Sequence, residues 1–70
     1  LDLFPDDERA LLKMCFLQAR LDYPTELALY GKKLLALCLK NDLHERANSY
    51  RRWLLRQSLS LDDRADFEVS

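Results

Sequence analysis

Two thiols, one imidazole and two acidic pairs are the side chains here that could support covalent, metal or acid–base chemistry, and their spacing argues against each use. Cys15 and Cys38 lie inside leucine-rich stretches, where a thiol behaves as a small hydrophobe. With His44 they form the one Cys–His couple the sequence offers, but His44 falls at a helix start and both thiols are expected in the core. No glycine-rich turn supplies backbone N–H groups for an oxyanion. Zinc sites need more ligands at tighter spacing than two cysteines and one histidine provide. Asp6-Asp7 and Asp62-Asp63 sit where helices begin, and neighbouring carboxylates there serve as caps and dipole partners. Gly31 stands alone, and a phosphate loop needs several glycines. No catalytic residue, cofactor, metal or small-molecule substrate is therefore expected, and the chain reads as a non-enzyme. Two reduced core cysteines fit an intracellular compartment, cytoplasm or nucleus.

Binding chemistry is better represented. Arg46, Arg51, Arg52 and Arg56 accompany Tyr50 and Trp53 in one short stretch. On a helix, Arg52 and Arg56 share a face with Glu45, Asn48 and Ser49. Such a face can be merely solvated, can dock an acidic protein segment, or can enter a DNA major groove as the second helix of a helix-turn-helix pair. Against nucleic acid, the preceding turn Asn41-Asp42 lacks the usual glycine, and the formal net charge is −1, where a basic footprint is expected. Charge is segregated: Asp2, Asp6, Asp7 and Glu8 open the sequence, and Asp62, Asp63, Asp66 and Glu68 close it. These acidic ends are expected to screen the basic middle or lie against it, the closing segment being one candidate acidic partner. Trp53 reads first as a core-boundary residue and second as an interface anchor.

The elements that must position these groups are helices. Leucine is abundant, β-branched residues are scarce, and one glycine with two prolines leaves few turns. The first helix is expected to start near Pro5 to Asp7 and run to about Asp22. Its wheel places Leu12, Cys15, Phe16, Ala19 and Tyr23 on one apolar face. Ala10, Met14, Leu17 and Leu21 lie roughly opposite, with Leu11 between the two faces and only Arg9, Lys13 and Arg20 as a polar strip. A helix apolar on nearly all sides must be covered on nearly all sides. Two further helices of similar length cannot do so, and a strip involving some of Ala10, Met14, Leu17 and Leu21 is expected to stay exposed as an association surface.

Pro24 ends the first helix and suits the first turn of the second, which spans about Thr25 to Lys40. Leu27, Tyr30, Leu34, Leu35, Leu37 and Cys38 line its apolar side with Gly31, whose cost of about 1 kcal/mol relative to alanine implies a close helix crossing. Glu26, Lys32, Lys33 and Lys40 form the wet side. Asp42 with Glu45 has capping-box spacing, so the third helix is expected from Leu43 to about Ser58, its stripe being Leu43, Ala47, Tyr50 and Leu54. Ser60 and Asp63 repeat that spacing and write a short fourth helical turn, from which Phe67 and Val69 can fold back. The fold class is all-α, a three-helix antiparallel bundle or open helical array, with residues 1–60 as the helical domain and 61–70 as an acidic tail.

A chain of 70 residues is at most one domain, and at this size only about 60% of the unfolded surface is buried. No apolar run approaches the roughly 20 residues of a membrane span, and the opening residues lack the basic start of a signal peptide. Leu1 in place of methionine makes a processed or excised chain the expectation. The junction Leu21-Asp22-Tyr23-Pro24-Thr25-Glu26-Leu27-Ala28-Leu29-Tyr30 resembles the helix junctions of tetratricopeptide-type repeats and of three-helix MIT domains. Both are protein-binding modules. The likeness covers one junction and lacks the alternation of small and large residues of a full tetratricopeptide unit. The expectation is a small helical protein-interaction module, of adaptor or oligomerisation type. Its partner would be another protein or a second copy of the chain, through the strip on the first helix or the face Arg46, Arg51, Arg52, Trp53 and Arg56. A nucleic-acid-binding regulator using the third helix is the alternative.

Overall fold

Asp7 starts the first helix: its carboxylate accepts from the backbone N–H groups of Arg9 and Ala10 at 3.0 and 3.3 Å, satisfying two of the donors a helix start leaves free. In the computed structural model, which describes residues 7–68, α1 (Glu8–Leu21), α2 (Pro24–Lys40), α3 (His44–Leu55) and α4 (Leu61–Glu68) follow in order. Pro5, one of the expected helix starts, and Val69 lie outside the described residues. No strand occurs among the described residues, and the class is all-α as expected.

The first two junctions are built alike. Asp22 and Asp42 both adopt left-handed geometry, with φ of 61° and 64°. Tyr23 N–H reaches Gln18 O, and Leu43 N–H reaches Cys38 O, at 3.0 and 2.8 Å. With the bonds Asp22 N–H to Ala19 O and Asp42 N–H to Leu39 O, at 3.3 and 3.1 Å, each forms a Schellman closure, a motif that usually uses glycine. Asp42 therefore closes α2 and does not cap α3: the N-cap is Leu43, with no side-chain hydrogen bond. The capping-box reading fails because a residue held at positive φ cannot also take the extended backbone an N-cap needs.

The helix α3 ends at Leu55, three residues before the expected Ser58. Ser60 does cap α4: its hydroxyl accepts from Asp63 N–H at 3.2 Å and donates to the Asp63 carboxylate at 3.0 Å. The segment read as an acidic tail thus carries a two-turn helix, and its Phe67 is 2% exposed within the common core.

That core joins Leu11, Cys15, Leu27, Ala28, Leu34, Leu37, Cys38, Ala47, Leu54 and Phe67. A close crossing is at Gly31, which faces Leu54 and Phe67. The α1 stripe differs from expectation. Leu11, Cys15 and Gln18 face inward, so the buried line runs between the two apolar faces, and Phe16 and Tyr23 are 46% and 52% exposed. Leu55 and Leu59, outside the stripe expected for the third helix, pack half-buried against the core. The principal extents are 30 × 27 × 15 Å. The thin dimension accommodates only two helix layers at 8–10 Å spacing, which is why so many apolar side chains stay partly wet.

Candidate interaction surfaces

The groups that could do covalent chemistry are withdrawn from solvent. Cys15 and Cys38 are free and buried. Burial pushes the Cys15 thiol up to about 11 and raises that of Cys38, away from the nucleophilic thiolate form. His44 is exposed and pairs through Nε2 with Asp42 at 2.8 Å. Among the described residues no three His, Cys, Asp or Glu side chains gather as metal ligands.

The five residues expected on the basic face do not act together. Arg46 turns toward α1, where its Nη1 donates to both Glu8 carboxylate oxygens at 2.9 and 3.2 Å. Tyr50 O–H donates to the same carboxylate at 2.6 Å. Burial first, and that hydrogen bond second, push the Tyr50 phenol up to about 12. Of the acids that open the sequence, Glu8 thus lies against one arginine, while Asp2 and Asp6 lie outside the described residues. Trp53 is half-buried and meets Phe16 edge-on, with centroids 5.1 Å apart at 87°. Arg51 leans to the opposite side of α3, its Nε buried and without a hydrogen-bond partner among the described residues. Arg52 and Arg56 are exposed and make no ion pair among the described residues.

The closing acidic segment does not cover these arginines. Lys32 on α2 draws Asp63 and Asp66, at 3.4 and 2.8 Å, and Glu68 pairs with Arg64 one turn away. Arg64 also donates to the Leu55 carbonyl at 2.6 Å, fixing α4 to the end of α3. The tail does not pair with the basic face as expected: Asp63 and Asp66 turn to α2, Glu68 pairs within α4, and Asp62 is exposed.

Two apolar surfaces are open. On α1, Leu17 and Leu21 are 44% and 49% exposed, and Ala10 and Met14 are half-buried beside them. The second surface was not legible in any single helix. The helices α2, α3 and α4 enclose an open groove of about 410 Å³, with Leu35, Ala36, Leu39, Ala47 and Phe67 as its apolar lining. Lys32 and Asp66 stand on one wall, Asn48 and Arg51 on the other. Leu39 and Ala36 are exposed on the outer side of α2. Only their spacing from Leu35 hinted that they share a wall, and the facing wall comes from distant sequence.

No helix among the described residues is long and apolar enough to cross a membrane. Fold and surfaces together define a small all-α helical array with apolar and cationic faces turned outward. Comparison with protein-family models, curated proteins and solved structures finds no match to this chain.

Proposed function

We propose that the chain is a small helical protein–protein interaction module without catalytic activity. The observation that carries this reading is the groove between α2, α3 and α4. It is apolar along its floor, open to solvent, and bordered by the Arg51 side chain. An amphipathic helix laying two apolar side chains between Leu35, Leu39 and Phe67 uses a known mode of recognition. A small molecule would be poorly enclosed by such an open trough, since ligand pockets bury most of the ligand surface. The strip at Leu17 and Leu21 offers a second contact, suited to an adaptor bridging two proteins or to self-association. The buried reduced thiols support an intracellular setting.

Selection from a random peptide library against the isolated chain tests the reading. Binders with apolar residues at i and i+4 should shift the NMR signals of Leu35, Leu39 and Ala47, and should be lost on Ala36→Glu. A selection yielding no binder, or binders that leave the groove signals unmoved, overturns it.

A nucleic-acid regulator remains the second reading, favoured by the exposed Arg52 and Arg56 on the outer side of α3. The diversion of Arg46 to Glu8 weakens it.

A further inference from the structure

The edge-on contact of Phe16 with Trp53 joins one stripe of α1 to one stripe of α3. On α1 the stripe reads Arg9, Lys13, Phe16, Arg20, spaced i, i+4, i+7, i+11, and every member is exposed. On α3 it reads Ser49, Arg52, Trp53, Arg56, with only Trp53 half-buried. The two stripes together make one face with an aromatic seam and cations on both sides. None of its five cations, Arg9, Lys13, Arg20, Arg52 and Arg56, makes an ion pair among the described residues. This face lies on the side of α3 opposite the groove, since Arg51 and Asn48 face the groove while Trp53 faces α1.

We propose that the α1–α3 face binds a short acidic segment of another protein, one whose carboxylates flank an apolar or aromatic residue seated on Phe16 and Trp53. The inference rests on the reading of the chain as a protein-interaction module and adds a third surface, distinct from the groove and from the Leu17–Leu21 strip, with its own partner chemistry. Charge complementarity sets the acidic requirement: guanidinium groups recognise carboxylates by paired N–H donors, and here Arg52 and Arg56 stand one turn apart, exposed, with no carboxylate partner among the described residues. The seam sets the apolar requirement, since Phe16 leaves 46% of its surface in water at the centre of the cations.

The same geometry disfavours nucleic acid. Single strands bind on successive stacking platforms, whereas this seam presents one exposed ring, the second being half-buried and perpendicular to it. From Arg9 to Arg20 the α1 stripe spans about 17 Å at the helical rise, roughly five residues of extended peptide. A longer polyanion would run onto exposed Glu45 at the start of α3, and the chain as a whole carries a formal charge of −1.

Fluorescence anisotropy on the whole chain tests the proposal with three labelled probes. These are a peptide with acidic residues on both sides of a Leu-Trp pair, the same peptide with serines in place of the pair, and an oligothymidine of matched length. The first should bind, weaken as salt is raised, and exceed each of the other two by about tenfold in affinity. Arg52→Gln with Arg56→Gln should weaken it about tenfold, and so should Phe16→Ser; all three positions are exposed, and circular dichroism checks that each variant stays folded. Ala36→Glu, in the groove, should leave it unchanged. The proposal is overturned if the first probe does not bind, if the serine probe binds equally well, or if oligothymidine binds as tightly. It also falls if acidic-peptide binding is lost on Ala36→Glu and untouched by the arginine changes, an outcome that would leave the groove reading standing. Conversely, acidic-peptide binding that depends on Arg52 and Arg56 supports this site even where the groove selects no helix.

Discussion

Gly31 on α2 leaves Leu54 on α3 the space a methyl group would fill. A Cβ at Gly31 would stand 2.9 Å from both Cδ atoms of Leu54 and 3.1 Å from Cζ of Phe67. Both neighbours are fully buried, at 0% and 2% exposure, so neither can swing aside into solvent. Gly31→Ala should therefore lose more than it gains. The helix gains about 1 kcal/mol in propensity, but overpacking a tight core costs about 1–3 kcal/mol. A net loss of about 1 kcal/mol, read as a fall of several degrees in Tm, is expected by thermal circular dichroism. A rise in Tm would show that the crossing has slack.

The sequence carried the helices themselves and the meaning of Gly31, because both follow from local spacing: leucine periodicity, Pro24 at a helix start, and a glycine on an apolar stripe. Ser60 with Asp63 likewise announced α4. The junction at Asp42 was misread because capping-box spacing and a Schellman closure by aspartate use the same residue, and only backbone φ separates them. On α1 the wheel offered two apolar faces, and the direction of burial was decided by partners distant in sequence, which turned Leu11 inward and left Phe16 in the seam. The groove needs three helices to exist. The α1–α3 face needed one side-chain contact, Phe16 with Trp53, to bring Arg9, Lys13 and Arg20 beside the arginines of α3.

Alkaline pH should destabilise the fold. Cys15 is raised from 9.0 to about 11 and Tyr50 from 10.0 to about 12. Each holds its proton more firmly in the folded chain, so between the two values the unfolded chain binds fewer protons and stability falls with pH. The contribution is complete below about pH 9 and is lost progressively up to about pH 12. For the fully buried Cys15 alone, a two-unit shift corresponds to on the order of 2–3 kcal/mol. Urea midpoints from pH 8 to 11 should decline, with a shallower decline in Cys15→Ala. In the native state at pH 8, both thiols should resist a thiol-specific reagent and react once urea unfolds the chain.

Asp22 pays for its left-handed backbone, and Gln18 for its depth. Asp22→Gly removes the Cβ clash of positive φ, a gain partly offset by the entropy of glycine in the unfolded chain, so about 0.5–1 kcal/mol of added stability is expected. Gln18 is 8% exposed, and its Oε1 has no hydrogen-bond partner among the described residues. Gln18→Met keeps the shape of the side chain without the unsatisfied acceptor, and a gain of about 1 kcal/mol should follow. Equilibrium denaturation measures both. An unchanged midpoint for Gln18→Met would mean that a water in the small adjoining cavity, about 60 Å³ and lined by Asp22, Tyr23, Gln57 and Ser58, already satisfies the oxygen.

The arginines of α3 should separate by their work. Tyr50 donates a short hydrogen bond to Glu8 from a half-buried position, and bonds to charged groups contribute about 1.5–3 kcal/mol. Tyr50→Phe should therefore lower stability by about 1–2 kcal/mol, since the carboxylate keeps Arg46. Arg46 is itself 60% exposed in that pair, so Arg46→Gln should cost at most about 1 kcal/mol. Arg52→Gln and Arg56→Gln touch no partner within the described residues and should stay within about 0.5 kcal/mol of the parent. Denaturation midpoints of the four variants give that ranking directly. If Arg52→Gln or Arg56→Gln cost as much as Tyr50→Phe, these two cations would be holding the fold together, and they could not be counted as free for an acidic partner.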